Sequence, residues 1–122
     1  DHFKNINDTW GHDVGDKAIV ALTRQLQMSV RAGDAIGRFG GDEFAVIMSQ
    51  TAAESAIAVM SRVHERLETL SLPCAPKEPL CISVGIAPWG PQFGHYREWL
   101  KAADVALYRA KNAGRGRTEV AA

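Results

Sequence analysis

A chain of 122 residues with 14 Lys+Arg against 14 Asp+Glu, 46% hydrophobic and 23% charged, has the size and balance of one soluble globular domain. Its zero formal charge excludes a global electrostatic footprint for nucleic acid or an anionic membrane, so any phosphate recognition must be local. No apolar run reaches the length of a bilayer span. Cys74 and Cys81 match neither a disulfide framework nor zinc spacing, and the four histidines stand away from them, so reduced thiols of a cytosolic protein are expected.

In chain order, Asp1-His2-Phe3-Lys4 opens without a methionine, a basic n-region or an apolar h-region, and reads as a piece of a longer polypeptide. Asp1 to Asn7 looks like a strand end and a loop, so an upstream buried strand is expected. From Gly15 to Val30 the residues Ile19, Leu22, Leu26 and Val30 recur at helical steps, predicting a helix with one buried stripe. Ala35 to Phe39 and Phe44 to Met48 are β-compatible runs around Gly40-Gly41, a hairpin signal. Thr51 with Glu54 has capping-box spacing, and Ile57, Met60, Val63, Leu67 and Leu70 follow on one face. After the proline-rich loop from Leu72 to Pro79, Leu80, Ile82, Val84 and Ile86 alternate with Cys81, Ser83, Gly85 and Ala87 as one strand. Tyr96 to Asn112 predicts the third helix, with Trp99, Ala103, Ala106, Leu107 and Ala110 on its stripe and Gly114 as its stop. Thr118 to Val120 is the last strand. The order predicts an α+β sheet with helices packed on it.

Four places carry candidate chemistry. Asp42 and Glu43 directly follow the glycine pair, and adjacent carboxylates at a strand end suit either a divalent cation such as Mg²⁺ or plain solvation. Lys4, Asn7 and Asp16 flank a glycine-punctuated loop. An Asp carboxylate accepts two hydrogen bonds from the guanine edge, with Asn7 completing it; Asp13 or Asp16 equally suits a helix cap. Lys111 and Arg115 end the last helix, facing either a triphosphate or only the helix dipole. Arg31 and Asp34 form an Arg-x-x-Asp turn, either a donor fork and acceptor for a guanine edge or a surface pair.

Together these residues resemble the GGDEF domain of bacterial diguanylate cyclases, named for the sequence that stands here as Gly40-Gly41-Asp42-Glu43-Phe44. The resemblance also rests on residues 1–12, on Gly15-Asp16, on Arg38-Phe39, on Ser83 to Ala87, and on Ala103-Asp104 through Lys111 to Gly114-Arg115. It implies a nucleotidyl cyclase fold, palm-like and ferredoxin-like, with a mainly antiparallel central sheet flanked by helices. The implied activity condenses two GTP into cyclic di-GMP (c-di-GMP) and two pyrophosphates by two-metal 3′-OH attack across a homodimer of domains.

The resemblance casts Asp42 as metal ligand and general base, and Glu43 as its acidic catalytic neighbour close to the metals or the 3′-oxygen. Lys4 becomes the lysine that stabilises phosphate charge, while Asn7 and Asp16 read guanine. Gly40 and Gly41 line the substrate, and Lys111 and Arg115 grip the β- and γ-phosphates. Arg31 and Asp34 stand where many members carry an inhibitory site, so allosteric inhibition by c-di-GMP as product is implied. The implied cofactors are two Mg²⁺, or Mn²⁺, per GTP site.

Residues 1–122 are expected to be a single GGDEF domain lacking its N-terminal portion. The family pattern is Asp-x-Asp-x-Phe-Lys and this chain starts at the second Asp, which places the first metal Asp, the first helix and the central strand outside the sequence. Activity is expected to be low without them. An upstream sensory domain and a cytoplasmic location of the domain are further expectations, with membrane attachment of the parent left open. A non-catalytic module sensing GTP or c-di-GMP is the alternative reading, and a purely structural dimerisation domain a third.

Overall fold

The computed structural model describes residue 8 and residues 11–40, 43–69 and 81–121. Helix α1 runs His12–Ser29, β1 Ala35–Gly40, β2 Glu43–Ile47, α2 Ala53–Thr69, β3 Val84–Ile86, α3 Tyr96–Asn112 and β4 Thr118–Val120. This is an α+β arrangement, as expected for the palm-like fold. No described helix is long and apolar enough to cross a membrane.

The core forms where α1 and α2 face each other. Val14, Ala18 and Leu26 from α1 meet Val63 and Leu67 from α2, and burying such side chains is the main favourable term of the fold. Ile36, Phe44 and Val46 of the hairpin pack on this cluster, as does Ile82. The hairpin supplies that face because Ile36 pairs with Val46 and Arg38 with Phe44, and side chains on one face of a sheet recur every second residue. On α2 the buried stripe is Ala56, Met60, Val63 and Leu67. Ile57, expected on that stripe, is instead 37% exposed, because it sits one helical step, about 100°, from Ala56. Leu70 lies outside the described residues.

The strands form two ladders among the described residues: β1 and β2 antiparallel, β3 and β4 parallel. A parallel pair needs a long crossover, and α3 provides it. Of the strand expected over residues 80–87, Leu80 lies outside the described residues, and among residues 81–87 the strand is confined to Val84–Ile86, where its partner β4 supplies Thr118, Glu119 and Val120 in register. Beyond the ladder, Trp99 fastens α3 to the strand's exit through its indole Nε1, which donates to the Ala87 carbonyl at 2.6 Å.

His64 ties α2 to β4, its Nε2 standing 3.0 Å from Thr118 Oγ1. Burial lowers its pKa below the usual 6.5, with the Glu68 carboxylate opposing the shift. A histidine with a depressed folded-state pKa binds fewer protons folded than unfolded, so its contribution to stability rises with pH up to about 6.5 and is flat above. The substitution His64→Gln, which keeps a hydrogen-bonding side chain without titrating, should flatten that slope in urea melts taken between pH 5 and 8. A slope unchanged by the substitution would remove His64 as its source.

Candidate functional site

The signature hairpin presents its residues at one end of β1 and β2. Gly40 pairs with Glu43, and the register shifts between Arg38 and Gly40, leaving Phe39 as an extra residue that is 63% exposed. Such a bulge twists the strand end and re-aims its side chains. Glu43, the first residue of β2, is exposed. Its carboxylate is a hard oxygen donor open to solvent, which suits a cation that keeps waters and phosphate oxygens in its shell. Gly41 and Asp42 lie outside the described residues. Among the described residues no three His, Cys, Asp or Glu side chains are grouped so as to hold a metal ion.

Asp16 is an exposed residue of α1. The helix begins at His12 rather than Gly15, its N-cap is Gly11, and no side chain makes a cap hydrogen bond. A capping role for Asp16 is therefore excluded, while Asp13 in the first turn faces the positive end of the helix dipole. Lys4 and Asn7 lie outside the described residues.

Lys111 and Arg115 do not sit one above the other on a helix face. The helix stops first, because Gly114 takes φ +119°, a conformation that glycine adopts without steric cost. The Arg115 N–H donates to the Ala110 carbonyl at 3.0 Å, and the Gly114 N–H reaches the Lys111 carbonyl at 3.4 Å. This is the Schellman pattern of hydrogen bonds at a helix end. Arg115 itself holds φ 64°, an uncommon value for a non-glycine residue. Lys111 is half-buried on the last turn and Arg115 is exposed beyond it.

Arg31 and Asp34 lie at the opposite end of the hairpin, before Ala35, which pairs with Ile47. Five residue steps, Ala35 to Gly40, separate the two ends, about 17 Å. The two side chains belong to one network. The Arg31 N–H donates to Asp34 Oδ2 at 2.9 Å, the Ser49 N–H donates to Asp34 Oδ1 at 2.9 Å, and the Asp34 N–H returns to the Arg31 carbonyl at 3.0 Å. Those two donors, Arg31 first and then Ser49, hold the Asp34 carboxyl below the usual carboxylate range, and the Arg31 charge adds to the effect.

The Arg31 guanidinium crosses to the segment after β2, where Nη2 donates to the Ser49 carbonyl and to Thr51 Oγ1, each at 2.7 Å. Thr51 Oγ1 in turn donates to the Ser49 carbonyl at 2.9 Å. The capping box expected at Thr51 is therefore not formed: α2 starts at Ala53, and the Ala52 carbonyl accepts the first bond from the Ala56 N–H at 3.0 Å. Arg62 of α2 lines the same hollow as Arg31, Asp34 and Thr51. Its position was not legible in the sequence, where it is one exposed arginine on a helix; only the packing of α2 beside the turn brings it there.

Comparisons with known proteins agree on one family. Residues 1–117 match the family described as "Diguanylate cyclase, GGDEF domain". The chain is 74% identical over 122 residues to "Probable diguanylate cyclase DgcC" of Escherichia coli K12, covering all of this chain and 33% of that protein. It is 36% identical over 124 residues to diguanylate cyclase DosC of the same strain, covering 98% of this chain and 26% of that protein. The chain thus spans a third or less of the length of these curated relatives. A solved structure, the GGDEF domain of DgcB from Caulobacter crescentus in complex with c-di-GMP, superposes with a TM-score of 0.93 at 30% identity, covering 99% of this chain and 72% of that one. Since the matched residues run through both helices of the core, the hairpin and the crossover helix, the chain belongs to the GGDEF family of diguanylate cyclase domains.

Proposed function

We propose that this chain is the GTP-condensing domain of a diguanylate cyclase that makes c-di-GMP and is inhibited by it. The observation that carries the reading is the intact sequence Gly40 to Phe44 at the end of a bulged antiparallel hairpin that pairs Gly40 with Glu43. Support comes from relatives named diguanylate cyclases.

In this reading Asp16 and Asn7 accept and give hydrogen bonds at the guanine edge, which fixes the base and leaves the phosphates pointing toward the hairpin. Lys111 and Arg115 hold the β- and γ-phosphates. Their positive charges offset the charge that builds on the departing pyrophosphate. Lys4 acts likewise on the reacting phosphate. Asp42 takes the proton from the 3′-hydroxyl as that oxygen attacks the α-phosphorus of a GTP held by a second copy of the domain. One P–O bond to the 3′-oxygen forms, the bond to pyrophosphate breaks, and a repetition in the opposite sense closes the ring. Asp42 and Glu43 would hold two Mg²⁺ or Mn²⁺ ions, which when bound neutralise phosphate charge and lower the pKa of the 3′-hydroxyl. Each domain is half a site, so a homodimer is required.

The Arg31 and Asp34 turn is proposed as the place where c-di-GMP inhibits. Both charges are already fixed by hydrogen bonds, and Arg62 adds a second guanidinium to the same hollow. Arginine forks suit both phosphate oxygens and the acceptor edge of guanine. Upstream sequence in the parent protein is proposed to carry the sensory input. The test is incubation of the full-length protein with GTP and Mg²⁺ and mass-spectrometric detection of c-di-GMP. The expected result is product formation that slows as product accumulates. A folded dimer that binds c-di-GMP without making it would replace this reading by a sensing module.

A further inference from the structure

Thr51 has the spacing of a helix cap but does not cap, so its hydroxyl has another use. It accepts from Arg31 Nη2 at 2.7 Å and donates to the Ser49 carbonyl at 2.9 Å. The Ser49 carbonyl accepts from the same Nη2 at 2.7 Å. Both oxygens thus bond the one nitrogen, Nη2. Nε and Nη1 keep the remaining three donors, and no hydrogen bond within the described residues engages them. Gln50, between the two acceptors, holds φ 49°. A left-handed conformation is costly for a non-glycine residue, and here it turns the chain so that one backbone oxygen and one hydroxyl converge on one nitrogen.

We infer that residues Ser49, Gln50 and Thr51 form a clamp that fixes Arg31 for c-di-GMP, with the Thr51 hydroxyl as its positioning group. The clamp also holds the other half of the turn, since the Ser49 N–H binds Asp34 Oδ1 at 2.9 Å and Ser49 Oγ donates to the Gly33 carbonyl at 2.8 Å. An exposed arginine otherwise spreads over many rotamers, and ordering it on binding costs affinity. A guanidinium held through Nη2 by two oxygens meets the ligand in one orientation, with its Nε and Nη1 donors presented. The inference rests on the reading of Arg31 and Asp34 as the inhibitory site and adds to it a residue that touches no ligand.

The test is calorimetric titration of the full-length protein with c-di-GMP, alongside thermal midpoints, for five variants. Arg31→Ala should abolish binding at this site. Thr51→Val and Thr51→Ala, which remove the hydroxyl in two shapes, should each weaken binding about tenfold while the midpoint stays near that of the parent. Thr51→Ser should restore affinity. Ser49→Ala should stay within about threefold, because the clamp uses the Ser49 backbone oxygen and N–H. Unchanged binding in Arg31→Ala overturns the reading of the site and the clamp with it. Loss in Arg31→Ala with parent-like affinity in both hydroxyl-free variants overturns the clamp alone, as does failure of Thr51→Ser to restore what Thr51→Val loses.

Discussion

Changing Asp42 to Ala in the full-length protein should reduce c-di-GMP formation by at least about 10³-fold, equivalent to about 4 kcal/mol of transition-state stabilisation. Asp42 is assigned two duties that Ala cannot perform: an anionic oxygen for divalent cations, and acceptance of the 3′-hydroxyl proton. Asp42→Asn keeps the shape and removes the charge, so it should fall nearly as far. In the proposed mechanism Glu43 serves the cations and Asp42 alone takes the proton, so Glu43→Gln should separate the duties with a smaller loss. Glu43→Gln leaves the core alone, because Glu43 is exposed and the inward side chains of β2 are Phe44 and Val46, so its unfolding midpoint should stay close to the parent's. Full product formation by Asp42→Ala, measured by mass spectrometry from GTP and Mg²⁺, would overturn the catalytic assignment.

Elements whose apolar pattern and end signals agree were legible in the sequence. Helix α3 occupies Tyr96–Asn112 as the pattern predicts, since Ala106 and Ala110 fall on its buried stripe and Gly114 supplies the stop. The hairpin was equally legible, because Gly40 and Gly41 separate two β-compatible runs. What failed depended on partners distant in sequence. Thr51 was read as a cap because local spacing cannot reveal that Arg31, twenty residues away, claims its hydroxyl. The pattern of large apolar residues places Ile57 on the buried face of α2, but alanine is a weak apolar signal and Ala56, 8% exposed, is the residue turned inward. The parallel pairing of β3 with β4 required knowing that α3 packs back over β3. For the candidate site, the sequence supplied the residue types, and the structure supplied the clamp on Arg31, the place of Arg62 and the turn that carries Arg115.

That turn depends on α3, and α3 depends on Gly85. A Cβ built on Gly85 would collide with the Ala103 carbonyl oxygen and the Leu107 amide nitrogen, and would stand 2.9 Å from Leu107 Cα. All three are backbone atoms of a helix, which cannot swing aside as a side chain can. Gly85→Ala must therefore push β3 and α3 apart, opening the contact that Ala103 and Leu107 make and straining the β3–β4 ladder, where Gly85 pairs with Glu119. Overpacking of a well-filled core costs about 1–3 kcal/mol, and with backbone on both sides the upper end, about 3 kcal/mol, is expected. That is a large share of the roughly 5–15 kcal/mol that holds a domain folded. Gly37→Ala is the matched control: a Cβ there meets nothing within 4 Å, so the change should be neutral or stabilise by up to about 1 kcal/mol. Urea melts of both variants measure the difference. Because α3 carries Lys111 and leads into Arg115, a Gly85→Ala protein that remains folded should also bind GTP more weakly, whereas equal stability and equal GTP affinity in the two variants would show that β3 and α3 do not approach as closely as the structure requires.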